Sequence, residues 1–198
     1  DMQISMGSVV KLVTALTASE VLSPEDTFIV GEEVDYYLTA DASRSMIKNG
    51  QTVTFEILLH ALLLPSGCDA ANTIAVNCAR TKSGNPDMTT EDALKYFVAL
   101  MNNYTTRIGC KNSFFINPDG QDAEGQHMTL DDVLIIAKEV LKNELILKIT
   151  GTSSVTYTLS TATEEDVYEW QNTNKLLNKE ESYYYEHVKG LKTGYTLD

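Results

Sequence analysis

Apolar residues recur at helical spacing through the first three quarters of the chain. In residues 8–20, SVVKLVTALTASE, they fall at positions 9, 10, 12, 13 and 16, which predicts a buried helix. Ser8 stands where the N-cap residue of that helix is expected. The same spacing predicts four more helices. The first covers residues 53–64 and is stopped by Pro65, and the second covers 69–80 and is capped by Asp69. The third runs from Thr89 and Thr90 to about Arg107, before Gly109, and the fourth from a Thr129–Asp132 capping pair to about Asn143.

The periodicity changes towards the C-terminus. Residues 153–159, SSVTYTL, alternate in the manner of a strand, and residues 183–196, YYYEHVKGLKTGYT, are rich in β-formers and are predicted to end in a strand. Between the two types of element, residues 114–120, FFINPDG, are predicted to be a short extended piece that ends in a turn. These patterns predict an α+β protein in which residues 1–198 belong to one domain.

Charge and cysteine content narrow the possible functions. The chain has 198 residues and a formal net charge of −13, which argues against a nucleic-acid partner because phosphate binding needs clustered Lys and Arg. The three cysteines resemble neither a disulfide framework nor a zinc site, so we expect no metal. The longest apolar run, 57–64, is too short to span a bilayer.

The first candidate for chemistry is the pair Ser8 and Lys11, spaced as SxxK. On a helix, residues three apart share a face, so the Lys11 amine can reach the Ser8 hydroxyl. A serine that attacks a carbonyl needs a base, and a neutral lysine can supply it. A second SxxK, from Ser45 to Lys48, runs into a turn at Asn49 and lacks the helical setting.

The second candidate is Lys192-Thr193-Gly194, predicted to lie on an extended edge. The cation and hydroxyl can bind a substrate carboxylate, and the glycine lets a peptide backbone approach closely. The third is the corner LLLPSGCDAA at 62–71, which places Ser66 and Cys68 at a helix–turn–helix tip. The order SxxK, then Ser-x-(Asn or similar), then Lys-Thr-Gly is the signature of serine β-lactamases and penicillin-binding proteins.

Longer stretches extend this similarity over nearly the whole chain. They are GSVVKLVTAL around Ser8, NGQTVTFEILLHALLLPSGCDAA at 49–71, FFINPDG followed by His127, NTNKLL at 172–177 and GLKTGYT at 190–196. The chain therefore resembles the D-alanyl-D-alanine carboxypeptidases, the low-molecular-mass penicillin-binding proteins of peptidase family S11. The resemblance implies the β-lactamase/penicillin-binding transpeptidase fold, in which a helical region packs on an antiparallel sheet, and it implies no cofactor.

The resemblance also implies a role for each motif residue. Ser8 would be the acylated nucleophile, Lys11 its general base, and Ser66 the relay that protonates the departing D-alanine. Lys192 would help to keep Lys11 neutral and, with Thr193, would hold the terminal carboxylate of the substrate.

Further positions follow from the same motifs. The backbone N–H groups of Ser8 and Tyr195 would form the oxyanion hole, beside Gly194. Two departures from the family pattern stand out: Val10 replaces the usual Thr, and Cys68 replaces the usual Asn, so the amide that positions the substrate becomes a thiol.

The chain ends are a third departure. Asp1 lies only seven residues before Ser8, and the chain stops four residues after Gly194. In this fold the neighbours of the Lys-Thr-Gly strand come from before the first motif and after the last. We therefore expect several sheet strands to be missing, and the chain to be an incomplete catalytic domain or one part of a split molecule.

Three functions remain open at this point. The first is a serine D-Ala-D-Ala carboxypeptidase that trims peptidoglycan stem peptides and is acylated by β-lactams; the others are a class A-like β-lactamase and a non-enzymatic penicilloyl-binding or sensor module. Peptidoglycan as substrate implies a bacterial protein outside the cytoplasmic membrane, either on its outer face or secreted. Family members are commonly held at the membrane by a C-terminal segment that this sequence does not include.

Overall fold

The structure, a computed structural model, describes residues 2–196. Its helices are α1 (Val10–Ala18), α2 (Phe55–Leu63), α3 (Cys68–Ser83), α4 (Thr90–Ile108), α5 (Leu130–Lys142) and α6 (Glu144–Thr150). Its strands are β1 (Gln3–Ile4), β2 (Thr27–Ile29), β3 (Thr52–Thr54), β4 (Met128–Thr129), β5 (Ser154–Ser160) and β6 (Glu165–Gln171). Helices thus dominate the middle of the chain, as the apolar spacing predicts.

Helix α1 lies at the centre of the core. All nine of its residues are buried, and it packs against α2, α3, α4 and α5. Its apolar residues fall on every side of the helix, so the helix must be surrounded by other elements, and its polar side chains Lys11, Thr14 and Thr17 are buried with them. The residue that precedes it, Val9, belongs to a 3-10 turn over Gly7–Val9 that carries Ser8.

The strands of residues 2–196 form three two-stranded antiparallel sheets, β1–β4, β2–β3 and β5–β6. The β5–β6 hairpin packs against the segment before β3 through its aromatic side chains. The indole N–H of Trp170 donates to the Ser45 carbonyl at 2.9 Å, and the Gln51 amide donates to the Tyr168 hydroxyl at 2.9 Å. Strand β5 confirms the alternating pattern of SSVTYTL, whereas β6 lies in an acidic segment that gave no strand signal.

Local capping signals are confirmed where they involve threonine or glycine. The Thr89 and Thr129 hydroxyls accept from the N–H groups of Asp92 and Asp132, three residues on, and Gly109 ends α4 in the left-handed conformation. The Asp132 carboxylate is hydrogen-bonded to the Thr129 side chain and also accepts from the backbone N–H groups of residues 111 and 112. Local spacing does not predict these two contacts with residues 111 and 112.

Three sequence-based expectations are wrong. Ser8 is not an N-cap, because the helix is preceded by a 3-10 turn in which no side chain caps. Asp69 lies inside α3, and its carboxylate accepts from the backbone N–H groups of Ser45 and Met46 as well as from Ala70. Residues 183–196 contain no strand, since a strand needs a paired neighbour and none within residues 2–196 pairs with Lys192-Thr193-Gly194.

The helices of residues 2–196 are all either too short or too polar to cross a lipid bilayer.

Candidate active site

Ser8 and Lys11 are in direct contact. The 3-10 turn and the first turn of α1 place both side chains on one face, and Lys11 Nζ lies 2.9 Å from Ser8 Oγ. Ser8 is half-buried, whereas Lys11 has no exposed surface. The predicted contact between the Ser8 hydroxyl and the Lys11 amine is therefore present, even though the helix begins at a different residue from the one predicted.

The buried amine of Lys11 is held by two further acceptors. It donates to the Asp119 carbonyl oxygen at 2.5 Å and to Cys68 Sγ at 3.4 Å. Burial of a lysine is costly unless its N–H groups are satisfied, and here three acceptors surround the nitrogen. The Asp119 carbonyl comes from FFINPDG, so this motif supplies one wall of the site.

The corner at Ser66 follows the end of α2. Pro65 cannot continue that helix, and Ser66 adopts a left-handed backbone (φ 68°) that turns the chain into α3. Ser43 stabilises the turn through two hydrogen bonds. Its hydroxyl donates to the Ser66 carbonyl at 2.6 Å, and its carbonyl accepts from the N–H of Cys68 at 2.8 Å.

Cys68 lies in the first turn of α3 and is buried. Burial raises the pKa of its thiol above the usual value, more than the nearby Lys11 charge lowers it. The side chain is therefore a neutral thiol near pH 7. It accepts a weak hydrogen bond from Lys11 and lies 3.8 Å from the Ser43 hydroxyl.

Lys192-Thr193-Gly194 runs beside the Ser8 turn although it is not a strand. A Cβ on Gly194 would collide with the Met6 carbonyl, and a Cβ on Gly7 would lie 2.5 Å from the Tyr195 carbonyl oxygen. Both glycines are therefore required for this close approach of two backbones. The approach brings the Tyr195 backbone next to Ser8, where the predicted oxyanion hole requires it.

Lys192 is the second lysine of the site. Its pKa is lowered to about 7, first by burial and then by the positive charge of Lys11. Its amine donates to the Thr193 carbonyl at 3.0 Å.

A hydroxyl pair stands next to Lys192. Thr173 Oγ1 and Thr193 Oγ1 are 2.6 Å apart, and the backbone N–H of Thr173 donates to the Leu64 carbonyl, which ties NTNKLL to the end of α2. Both threonines border the same cleft. The pair offers two adjacent hydroxyls to an anion.

The cleft has a volume of about 630 Å³. Six of the eight residues that the sequence singled out border it, namely Ser8, Ser66, Cys68, Thr193, Gly194 and Tyr195. The other two adjoin it through these residues: Lys11 bonds to Ser8 and Cys68, and Lys192 to Thr193. Residues 2–196 contain no group of three or more His, Cys, Asp or Glu side chains that could hold a metal ion.

Sequence reasoning missed several residues of this site. FFINPDG and NTNKLL were recognisable as motifs, but no pattern showed that the Asp119 carbonyl binds Lys11 or that Thr173 faces Thr193. Ser43 carries no sequence signal, because its contact with Ser66 depends on the tertiary fold. Gln121 also borders the cleft and was not predicted.

The chain matches known proteins over its whole length. A family model described as D-alanyl-D-alanine carboxypeptidase, Peptidase_S11, matches residues 1–198. The chain is 30% identical to the D-alanyl-D-alanine carboxypeptidase DacF of Bacillus subtilis, covering 98% of this chain and 45% of that protein. It is also 30% identical to a D-alanyl-D-alanine carboxypeptidase of Streptomyces sp. strain K15, covering 98% and 65%. The chain thus spans about half to two thirds of these relatives.

Solved structures of penicillin-binding enzymes also resemble this chain. The Streptomyces K15 DD-transpeptidase superposes with a TM-score of 0.88 at 29% identity, covering all of this chain and 73% of that one. Penicillin-binding protein 6B of Escherichia coli gives 0.76 at 26% identity, covering 98% and 57%. Solved variants of the Streptomyces enzyme replace a serine and a cysteine two positions apart, the spacing of Ser66 and Cys68.

The predicted fold class is confirmed by these structures: the chain has the β-lactamase-like fold of penicillin-binding DD-peptidases, with helices and short antiparallel sheets. The family model covers every residue, and the three motifs meet at one cleft. The chain belongs to the D-alanyl-D-alanine carboxypeptidase family, Peptidase_S11.

Proposed function

We propose that the protein is a serine-type D-Ala-D-Ala carboxypeptidase that removes the terminal D-alanine of peptidoglycan stem peptides. The observation that carries this proposal is the 2.9 Å contact between Ser8 Oγ and the buried amine of Lys11, at the junction of all three motifs. An amine in that position can take the serine proton as the hydroxyl attacks a carbonyl.

Acylation follows from the arrangement around Ser8. Neutral Lys11 accepts the Ser8 proton while Oγ attacks the carbonyl carbon of the penultimate D-alanine. The negative charge that develops on the carbonyl oxygen is stabilised by the backbone N–H groups of Ser8 and Tyr195. Collapse of the tetrahedral intermediate breaks the C–N bond. Lys11 gives up the proton that it took from Ser8, and Ser66 relays this proton to the nitrogen of the departing D-alanine, which leaves Lys11 neutral again.

The carboxylate of the departing residue is bound at the other motif. Protonated Lys192 and the Thr193 hydroxyl hold it, with Thr173 beside them at 2.6 Å from Thr193. Water then attacks the ester carbonyl, Lys11 takes a proton from that water, and Ser8 leaves with its proton restored. The products are D-alanine and a stem peptide that is one residue shorter.

The same site accounts for the proposed inhibitors and location. A β-lactam presents a strained amide and a carboxylate in place of D-Ala-D-Ala, so Ser8 forms an ester with it. Residues 1–198 would belong to a single penicillin-binding catalytic domain, of which they are an incomplete part, and the reaction would need no cofactor. Because peptidoglycan lies outside the cytoplasmic membrane, we place the protein in the bacterial cell envelope, either secreted or on the outer face of that membrane.

A second candidate is transfer of the acyl group to an amine. It is favoured by the Ser66–Cys68 spacing shared with the Streptomyces K15 DD-transpeptidase. Both reactions use the same ester on Ser8 and differ only in the acceptor. Chromatography of products formed with and without an added amino acid amide distinguishes hydrolysis from transfer.

The experiment that tests the function uses Ser8→Ala in the complete protein. We expect the substitution to abolish both labelling by a fluorescent penicillin and release of D-alanine from a peptide ending in D-Ala-D-Ala. Ser19→Ala, at the other end of α1, is the matched control and should retain both. Labelling that survives in Ser8→Ala would refute the assignment of the nucleophile.

Rapid penicillin turnover with no action on the peptide would favour the β-lactamase. Stable labelling of Ser8 with no D-alanine release from the peptide would favour the penicilloyl-binding module. Either result would overturn the carboxypeptidase proposal.

A further inference from the structure

A group of three tyrosines has no role in the motifs or in the proposed mechanism. Residues 175–189, KLLNKEESYYYEHVK, run from the end of NTNKLL to the start of GLKTGYT and include Tyr183, Tyr184 and Tyr185. We call residues 175–189 the tyrosine segment. It begins with a 3-10 helix over Lys175–Leu177 and then continues as turns.

The tyrosine segment exposes several large side chains. Tyr183, Tyr184 and Tyr185 are 64%, 38% and 57% exposed, and Leu176 is 41% exposed. Leu176 lies beside the tyrosines, because its carbonyl accepts from the Tyr185 N–H at 3.0 Å. Exposed apolar surfaces that lie together are typical of an interaction site, since covering them removes unfavourable hydration.

Hydrogen bonds hold the backbone of the tyrosine segment in successive turns. The N–H groups of Glu181, Tyr184 and Val188 each donate to the carbonyl three residues earlier, at 3.1 Å. The Tyr185 ring also packs edge-on against the His187 ring, with 5.2 Å between the ring centroids. Because these contacts fix the backbone before a ligand arrives, binding costs little additional ordering of the chain.

The tyrosine segment begins beside the catalytic cleft. The hydroxyl pair borders the cleft, and in the next residue of NTNKLL the Asn174 amide donates to the Gly190 carbonyl at 3.2 Å. Leu176, whose carbonyl binds Tyr185, is three residues from Thr173, and three residues span at most about 11 Å. A ligand that extends beyond this edge of the cleft can therefore reach the tyrosines.

The charges of the tyrosine segment balance, although the chain as a whole has a formal net charge of −13. The segment contains three lysines and three glutamates, namely Lys175, Lys179, Lys189, Glu180, Glu181 and Glu186. Lys175 also pairs with Glu181 at 3.7 Å. A balanced surface attracts neither a polyanion nor a polycation strongly, so the segment fits a neutral ligand better than a charged one.

The side chains of the tyrosine segment suit a sugar. A sugar ring has faces of C–H groups, which pack against aromatic rings, and an edge of hydroxyl groups. Tyrosine offers both an apolar ring and a hydroxyl. The neighbouring carboxylates can accept from sugar hydroxyls, and the lysine amines can donate to hydroxyl and acetamido oxygens.

We propose that the tyrosine segment binds the neutral chain of N-acetylated amino sugars to which peptidoglycan stem peptides are attached. This inference rests on the proposed function, because it extends the substrate of the same cleft from a free peptide to the polymer. Contact between the tyrosine rings and the sugar faces holds the polymer beside the cleft. The KM for a peptide that is attached to the glycan is therefore lower than the KM for the same peptide in free form.

Glycan chains from which the stem peptides have been removed test the binding directly. Their Kd for the complete protein is measured by calorimetry. The triple variant Tyr183→Ala/Tyr184→Ala/Tyr185→Ala should raise this Kd at least about tenfold, because truncation of aromatic contacts at a binding site costs about that much. The corresponding triple Tyr→Phe variant keeps the rings and should recover most of the affinity. Tyr96→Ala, at a tyrosine of α4 that is 36% exposed and lies outside the cleft, is the control and should leave Kd unchanged.

Hydrolysis links this binding to the reaction. D-alanine release is measured from a free stem peptide and from the same peptide attached to glycan. The triple alanine variant should raise KM for the attached peptide by about tenfold and leave kcat unchanged, because the lost contact is equally strong in the ground state and the transition state. Both constants for the free peptide should stay at the wild-type values. The Kd for glycan should also change little between low and high salt, since salt screens only charge interactions.

Three results would overturn the assignment of the tyrosine segment. The first is equal affinity of wild type and the triple alanine variant for glycan. The second is a rise in KM that is the same for free and attached peptide. The third is salt-sensitive binding of polylysine that the triple alanine variant loses, without binding of glycan, which would identify a cation site instead. Failure of the proposed function is distinguishable from these: wild type would bind glycan but would neither be acylated by penicillin nor release D-alanine from the free peptide.

Discussion

Lys11 Nζ lies 3.4 Å from Cys68 Sγ, so the proposed general base contacts a thiol at a position where the family pattern usually has an amide. The thiol is buried, and its raised pKa keeps it neutral. It thus takes a weak hydrogen bond from the amine and adds no charge beside it.

Cys68→Asn is expected to keep or increase peptidase activity. An amide oxygen accepts from Lys11 more strongly than sulfur does, and the amide N–H₂ can donate to the substrate. The measurement is kcat/KM for D-alanine release. Cys110→Ala, at a half-buried cysteine outside the cleft, is the control. A fall of more than about tenfold would show that the thiol contributes a function that an amide cannot replace.

The lowered pKa of Lys192 makes carboxylate binding depend on pH. Its pKa of about 7 in the folded protein means that the ammonium form, which attracts the substrate carboxylate, predominates below pH 7 and is lost above it. For Ser8→Ala, which cannot react, the Kd of a D-Ala-D-Ala peptide should be nearly constant below pH 7. It should rise by up to about tenfold per pH unit well above that value.

Lys192→Arg provides the control for this titration. A guanidinium stays protonated throughout the range, so its Kd should show no such rise between pH 7 and 9. Calorimetry measures Kd against pH for two proteins, Ser8→Ala and the double variant Ser8→Ala/Lys192→Arg. A wild-type Lys192 curve that is flat up to pH 9 would contradict the assignment of Lys192 as the carboxylate ligand.

Gly7 is the backbone position on which the proposed oxyanion hole depends. Gly7→Ala introduces a left-handed alanine (φ 49°) and places a methyl group 2.5 Å from the Tyr195 carbonyl oxygen. We expect at least about a hundredfold slower penicillin acylation, because a displaced Tyr195 backbone can no longer donate to the oxyanion. We also expect a lower free energy of unfolding.

Gly84→Ala is the control that separates backbone strain from the steric clash with Tyr195. Gly84 also has a left-handed backbone (φ 67°), at the end of α3, but a Cβ there meets nothing within 4 Å. It should lower the free energy of unfolding by about 1 kcal/mol and leave acylation unchanged. Equal effects of the two substitutions on acylation would mean that the contact between Gly7 and Tyr195 does not position the oxyanion hole.

The sequence predicted the parts of this molecule that depend on local spacing. Ser8 and Lys11 meet because residues three apart share a helix face, and Thr89 and Thr129 cap their helices because the cap contacts the next turn. The prediction of a strand at Lys-Thr-Gly was wrong because strand formation depends on a neighbouring strand elsewhere in the sequence.

The parts that the sequence missed share a different cause. Ser43 is 23 residues from Ser66, and Asp119 is 108 residues from Lys11. Such contacts form only in the folded chain, and no local pattern of residue types predicts them. Residue spacing located the Ser8–Lys11 and Lys-Thr-Gly motifs, and family resemblance assigned their roles, but the hydrogen bonds that join them are visible only in the structure.

Thr173 supplies the last prediction, because its hydroxyl is 2.6 Å from that of Thr193. Thr173→Val keeps the shape of the side chain and removes the hydroxyl, so the substrate carboxylate loses one donor and Thr193 loses its partner. We expect KM for the D-Ala-D-Ala peptide to rise about tenfold with kcat within about threefold of wild type, since one charge-assisted hydrogen bond is worth about that much in binding.

Thr152→Val is the matched control. The Thr152 hydroxyl donates to a carbonyl of α6 and lies outside the cleft, so KM should stay at the wild-type value. The split between the two kinetic parameters is the informative measurement. A Thr173→Val protein with unchanged KM and a much lower kcat would place this hydroxyl at the reacting carbonyl instead of at the carboxylate.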